Sequence, residues 1–250
     1  MQRISVFCET TSTPEWNGQN PTQTASFLDV WRIPLFLPGH SIDVLKERLS
    51  DEELRQAHRF AQKEDRIRYI LGKGLLRKLL QIYLNEDPDA LQFGKNRYRK
   101  PFLVGREDFH FNSSHAGDWV VIALAGSEVG IDIERVDPRF SFEELLPYIF
   151  SSREIAFIRQ SARPTESVYT LWTRKEALLK GMGLGITDHL MDYTLLDGRQ
   201  EMEMPERSAI RDWQVRSFLM DREYCLSLAF TQPSLQPRFF DGVRLFSESE

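Results

Sequence analysis

The feature that most limits what this chain can fold into is the order in which its hydrophobic period changes. From Ser41 to Leu84 apolar residues recur every three or four positions, with Leu45, Leu49, Leu54 and Ala57 preceding a long run through Ile67, Ile70, Leu71, Leu75, Leu79 and Ile82. That spacing marks amphipathic helices. Strand-like runs follow at LQFGK, FLVG, FHFN, Trp119–Gly126 and Val129–Val136. A second helical region runs from FEELLPYIF to KEALLKGMG, with Ser151 and Glu154 in a capping-box pattern. DYTLLDG, WQVRSFLM and YCLSLAF then read as strands, the last two joined by a turn at Asp221–Arg222. Helices then strands, twice over and without βαβ alternation, predict an α+β fold of two similar-sized halves meeting near residues 126–129.

Asp29–Leu37 alternates as one more strand, and residues 9–26 (ETTSTPEWNGQNPTQTAS) read as a polar loop. The expected division is a polar N-terminal arm over 1–27, an N-terminal half over 28–127 and a C-terminal half over 128–250. Gly72 and Gly74 fall inside the long helix, where glycine is costly unless another element packs closely.

Composition narrows the class. An apolar fraction of 41% and a charged fraction of 28% exclude wholesale disorder. No apolar run approaches the length that crosses a bilayer, and Met1–Trp16 lacks the charge and apolar block of a secretory signal. Two cysteines, Cys8 and Cys225, build neither a disulfide framework nor a four-cysteine zinc site. The expectation is a cytoplasmic protein with no membrane association. A net charge of −5 argues against a general nucleic-acid binder. Between Arg55 and Lys100, however, twelve Lys or Arg stand against five Asp or Glu. This local excess suits either a solvated helix face or an anionic ligand or partner.

Four clusters carry chemistry. In Gly130-Ile131-Asp132-Ile133-Glu134, alternate side chains of a strand share a face, so the isoleucines point to the core while Asp132 and Glu134 stand together. Two such carboxylates repel unless protons or a hard cation, Mg2+ most naturally, neutralise them; incidental acids on a solvent-facing strand are the plainer alternative. On a helix, Trp172, Glu176 and Lys180 lie close to one stripe. Glu176 there completes a three-carboxylate site with Lys180 offered to an anion, or forms an ordinary surface pair. Phe111-Asn112-Ser113-Ser114-His115 reads as a strand end and polar turn whose hydroxyl, ring and N–H groups suit a phosphate. Tyr98-Arg99-Lys100-Pro101 is basic and restricted by its proline. His40, His58, His110 and His189 show no metal-ligand spacing, and Gly181-Met-Gly-Leu-Gly185 follows a helix, which makes it a terminator and not a dinucleotide fingerprint.

Taken together these stretches resemble the 4′-phosphopantetheinyl transferase superfamily, particularly its larger surfactin-synthetase-type branch. Val129–Glu134, Trp172-x-x-Lys175-Glu176-Ala177-x-x-Lys180, Phe111-Asn112-x-Ser114-His115, Lys100-Pro101 and the helix from Arg59-Phe60 to Arg77 occur in the family's order, over roughly Leu49 to Phe230. The resemblance implies a monomer with coenzyme A and Mg2+ in the cleft between two α+β halves. The reaction implied is transfer of phosphopantetheine from coenzyme A to a serine hydroxyl of an apo acyl or peptidyl carrier protein, releasing adenosine 3′,5′-bisphosphate. Carried over by position, Asp132, Glu134 and Glu176 hold the metal, and Ser114 and His115 contact coenzyme A phosphates. Tyr98, Arg99, Lys100 and Pro101 lie against adenine and ribose phosphate. Asp132, Glu176 and Lys180 form the catalytic set, with Glu176 the candidate general base and Lys180 both binding coenzyme A and stabilising the leaving phosphate.

Departures from the family pattern bear on the detail. Arg99 stands where the family often has Gly, Ser113 replaces an aliphatic residue, and Ala116 replaces a hydroxyl. The basic residue expected four before Phe60 is Gln56, so Arg55 or Arg59 stands in, with Arg55 assigned to the cofactor. The basic segment is expected to help dock an acidic carrier. Two other classes compete: a Mg2+-dependent phosphohydrolase or nuclease using the same acids, which leaves Lys180 and the Asn-Ser-Ser-His stretch without a task, and a catalytically silent binding module.

Overall fold

WVVIALA is apolar at nearly every position, and the fold accounts for this by burying both faces of the strand it forms. A computed structural model describes residues 2–18, 21, 26–36, 41–87, 90–185, 190–204 and 212–246. In chain order it contains β1 (Gln2–Thr11), β2 (Leu28–Pro34), α1 (Ser41–Lys46), α2 (Asp51–His58) and α3 (Lys63–Leu84). There follow β3 (Phe93–Lys95), β4 (Pro101–Leu103), β5 (His110–Ala116), β6 (Trp119–Ala125) and β7 (Val129–Arg135). The remainder comprises α4 (Leu146–Ile149), α5 (Ser152–Gln160), α6 (Pro164–Gly181), β8 (Gly198–Met204), β9 (Asp212–Met220), β10 (Tyr224–Phe230) and β11 (Arg238–Asp241). The α+β class expected from the periodicity is what these elements display.

The strands form a five-stranded sheet ordered β7-β10-β9-β1-β8, a four-stranded sheet ordered β11-β2-β6-β5, and the β3-β4 hairpin. One face of β6 (Val120, Ile122, Leu124) packs with α3 around Leu71, Leu75 and Leu79. Its other face (Val121, Ala123, Ala125) meets Ile131, Ile133, Leu226 and Leu228 of the five-stranded sheet. Within α3, a Cβ on Gly74 would lie 2.7 Å from Leu45 Cβ, so the glycine admits α1 at close range. Gly72 meets no comparable crowding.

The termini cross between the sheets, which corrects the expected division. Residues 2–11 are not part of an arm: Ile4, Val6 and Cys8 alternate inward, and β1 lies between β9 and β8. Conversely β11, from the C-terminal stretch, pairs in parallel with β2. Residues 19–20 and 22–25 of the polar loop lie outside the described residues. DYTLLDG (192–198) is not a strand either: a 3-10 turn over Leu190–Asp192 ends at its first residue, and β8 starts only at its last, Gly198. The turn between β9 and β10 holds Asp221 and Arg222 at positive φ (52° and 62°), and Glu223 N closes it on the Met220 carbonyl oxygen at 3.2 Å, three residues separating the paired Met220 and Tyr224.

Candidate active site

The site is built where β7 runs against α6, and a glycine sets how close they come. A Cβ on Gly130 would lie 2.1 Å from the Ala177 carbonyl oxygen and 2.3 Å from the Gly181 nitrogen, so no other residue fits without moving a backbone. From that contact β7 presents Asp132 and Glu134 on the face away from Ile131 and Ile133, and α6 presents Trp172, Glu176 and Lys180 one turn apart. All five line a single cavity of about 460 Å³.

Asp132 is buried, and its Oδ1 accepts hydrogen bonds from Ser114 Oγ (2.8 Å) and from Lys180 Nζ (2.6 Å). Lys180 also donates to Ser114 Oγ at 3.2 Å. Asp132 Oδ2 and Glu176 Oε1 are buried and make no hydrogen bond among the described residues. Such orphaned acceptors are expensive unless a proton or cation joins them. Burial raises all three carboxyls above their ordinary range; Glu134 reaches about 7, helped by the neighbouring Asp132 charge, while Lys180 pulls each of them back down. Among the described residues no three His, Cys, Asp or Glu side chains are gathered closely enough to hold an ion as they stand, and the Lys180 ammonium sits on Asp132. Two unpartnered buried oxygens in an all-carboxylate set nonetheless fit a hard, oxygen-seeking dication.

The Asn-Ser-Ser-His stretch is not a turn. It belongs to β5, and the chain reverses beyond it at Gly117, where φ is +50°. Ser114 and His115 therefore reach the cavity from a strand. Asn112 Oδ1 accepts from Ile131 N at 2.8 Å, tying β5 to β7 where the two sheets meet. Burial, together with Arg68 and Lys180, lowers the His115 pKa and favours its neutral ring.

The cavity's opposite wall is α3, with Arg68, Tyr69, Gly72 and Lys73. Arg68 is held by Asp65 Oδ1 (2.7 Å) and by the Gly117 carbonyl oxygen (3.1 Å). Lys73 is half-buried with its pKa lowered by that burial, and it has no ion pair among the described residues. The charges bearing on it are Glu53, Lys95 and Arg77, and Glu53 is already paired with Arg77. In the sequence both residues belong to the general basic run between Arg55 and Lys100, and that charge excess is the signal they leave there.

Four expected cofactor residues, Arg55, Tyr98, Arg99 and Lys100, do not line this cavity. Arg55 is exposed on α2 and does not line the cavity, because the buried side of that helix is set by Ala57. Of Tyr98–Pro101 only Pro101 lines it. Lys100 is directed into the seam between the sheets, donating to Glu128 Oε2 (3.0 Å) and to the carbonyl oxygens of Gly181 (2.7 Å) and Val129 (3.3 Å). Against burial, His110 and Lys100 hold Glu128 at about 2. Arg99 occupies the hairpin turn at φ 68°, a left-handed backbone that glycine adopts freely. His40 and His189 lie outside the described residues.

Comparison with known proteins places the chain in a family. A model described as 4′-phosphopantetheinyl transferase superfamily matches residues 128–229, and one described as 4′-phosphopantetheinyl transferase, N-terminal, matches residues 39–127. A 4′-phosphopantetheinyl transferase of Bacillus subtilis is 30% identical over 214 residues, covering 83% of this chain and 92% of that protein. The 4′-phosphopantetheinyl transferase HetI of Nostoc is 34% identical over 227 residues, covering 88% and 94%. The 4′-phosphopantetheinyl transferase Sfp of Bacillus subtilis is 29% identical over 190 residues, covering 74% and 83%. Full-length similarity of this kind, carried on both halves of the cavity, makes the chain a member of the 4′-phosphopantetheinyl transferase superfamily, in its Sfp-like branch.

Proposed function

We propose that the cavity takes coenzyme A together with one divalent cation, Mg2+ by its all-oxygen donor set. The chain then moves 4′-phosphopantetheine to a serine hydroxyl of an apo acyl or peptidyl carrier protein, and adenosine 3′,5′-bisphosphate leaves. The transferase class follows from family membership. The observation that carries the reading is the convergence of Asp132, Glu134 and Glu176 on one cavity, with two buried oxygens lacking partners and a basic helix facing them.

Asp132, Glu134 and Glu176 would hold the cation, which when bound neutralises charge on the diphosphate oxygens. The Ser114 hydroxyl and the Lys180 ammonium, both on the cavity wall beside Asp132, would donate to phosphate oxygens, and Lys180 would stabilise the charge that builds on the departing phosphate. Neutral His115 adds a hydrogen-bonding ring without adding charge. Glu176 is the candidate acceptor for the serine proton, directly or through one water, by whichever of its oxygens the cation leaves free. Arg68 and Lys73 form the cationic wall for the remaining phosphate of the nucleotide, with Pro101 against the base.

The reading includes a monomer acting in the cytoplasm; no helix among the described residues is long and apolar enough to cross a membrane. The basic segment helps dock an acidic carrier, although part of its charge is spent internally by Arg77 on Glu53, Arg68 on Asp65 and Lys100 in the seam. The test is to incubate the protein with apo carrier, coenzyme A and Mg2+ and weigh the carrier. A gain of one phosphopantetheine supports the reading. An unchanged carrier beside intact coenzyme A supports a silent binding module, and cleaved coenzyme A supports a phosphohydrolase.

A further inference from the structure

Three consecutive charged residues of α6, Arg174, Lys175 and Glu176, are only 2%, 1% and 8% exposed. Successive helical residues point about 100° apart, so these charges leave the helix in three directions and none reaches bulk water. Glu176 enters the cavity. Lys175 is turned away from it, and its ammonium donates to Glu154 Oε2 (2.9 Å), to the Leu190 carbonyl oxygen (2.8 Å) and to the Tyr193 carbonyl oxygen, which uses all three of its hydrogens. Glu154 is equally committed: Oε2 also accepts from Ser151 N (2.8 Å) and Oε1 from Leu195 N (2.9 Å). On the other flank Arg174 donates to Ser217 Oγ (2.8 Å), the Leu195 carbonyl oxygen (2.7 Å) and Thr10 Oγ1 (2.9 Å).

A fully buried ion pair is a poor source of stability, because desolvation cancels most of its attraction. The Phe150 ring centre lies 5.7 Å from the Lys175 ammonium, and the pair's other partners are backbone groups of Ser151, Leu190, Tyr193 and Leu195, which it ties to α6. What the pair supplies that apolar packing does not is direction. Its hydrogen bonds fix the azimuth of α6 one residue before Glu176. For a carboxylate about 6 Å from the helix axis, a roll of about 20° displaces the oxygens by about 2 Å, and misplacement by about 1 Å is enough to cost two orders of magnitude in rate.

We propose that Glu154, acting through Lys175, is a positioning residue: the buried pair sets the roll of α6 and thereby aims Glu176, and Lys180 one turn on, into the cavity. The kinetic part rests on the transferase reading; the ion-binding part does not.

The test compares wild type with the isosteric apolar pair Glu154→Met/Lys175→Met, and with Glu154→Asp, which keeps the charge but shortens the tether by one methylene. Unfolding temperature, Mn2+ affinity and transfer kinetics are read on each. The expected result is a folded double variant with Mn2+ affinity lowered about tenfold and kcat lowered about a hundredfold, KM for coenzyme A staying within about threefold. Glu154→Asp is expected to fold and to lose at least about tenfold in kcat by the same displacement. Wild-type Mn2+ affinity and kcat in a folded double variant overturn the proposal. Should that variant not fold, wild-type values in Glu154→Asp overturn it instead. If wild type itself transfers nothing to a carrier, the transferase reading fails while Mn2+ affinity still decides the positioning role.

Discussion

Lys180 Nζ lies 2.6 Å from Asp132 Oδ1, so the lysine meant for a substrate phosphate holds the place of a cation on the most buried of the three acids. Replacing it strips Asp132 of its only charged partner among the described residues and leaves the carboxylate buried. Lys180→Met is therefore expected to lower the unfolding temperature without metal, and to gain more stabilisation from added Mg2+ than wild type, because the ion has no ammonium to displace. Calorimetry with and without Mg2+ checks this. Equal Mg2+ shifts in the two proteins would show that lysine and ion do not compete for Asp132.

Gly130 is the tightest point between β7 and α6. Gly130→Ala is expected to cost more than about 4 kcal/mol or to prevent folding, since the obstacles are backbone atoms and cannot rotate away. Gly72→Ala, on the open side of α3 where the nearest atom to a Cβ is 3.8 Å distant, should leave the unfolding temperature at or above the wild-type value. Similar losses in the two variants would contradict the close approach.

Glu134 has its pKa raised from 4.5 to about 7 by burial and by the Asp132 charge. The folded chain thus binds this proton more tightly than the unfolded chain, and the stability it contributes is present below pH 4.5 and lost as pH rises through about 7. In chelator, the unfolding temperature should fall across this window more steeply in wild type than in Glu134→Gln. Cation binding near pH 6 should release protons, visible as a dependence of calorimetric heat on the buffer's ionisation enthalpy. Parallel pH profiles in the two proteins would remove Glu134 as the source.

Lys73 is the cavity cation without an ion-pair partner among the described residues. Lys73→Met should weaken binding of adenosine 3′,5′-bisphosphate about tenfold or more, the worth of a charged hydrogen bond, while binding of adenosine 5′-monophosphate changes little. Isothermal titration with the two nucleotides measures this. Equal weakening of both would assign Lys73 to general electrostatics.

Much of this was legible in the sequence where local physics decides the outcome. The period of α3 and α6, the alternation that buries Ile131 and Ile133 while turning Asp132 and Glu134 the other way, and the turn at Asp221–Arg222 depend on neighbours along the chain. Long-range pairing was not legible. Alternation at Ile4, Val6 and Cys8 shows a strand but not that its partners are β9 and β8, some two hundred residues distant. The Asn-Ser-Ser-His stretch looks like a turn because it is polar; it is a strand because its backbone pairs with β6, while the Asn112 and Ser114 side chains find partners on β7. Lys100 looks like a phosphate ligand until the carbonyl oxygens of Val129 and Gly181 are seen around it. Charge counts place a basic segment near the site, but only the packing of α3 separates Lys73, which faces the cavity, from Arg55, which does not.

The most direct test of the central claim, that acids from β7 and α6 share one cation beside the diphosphate of coenzyme A, is anomalous diffraction from crystals grown with Mn2+ and coenzyme A. The account predicts a single strong Mn2+ peak within coordination distance, about 2.2 Å, of oxygens from Asp132 and Glu176, with Glu134 bound directly or through a water and Lys180 moved off Asp132. A peak away from these side chains, or Lys180 still on Asp132 with coenzyme A bound, would contradict it.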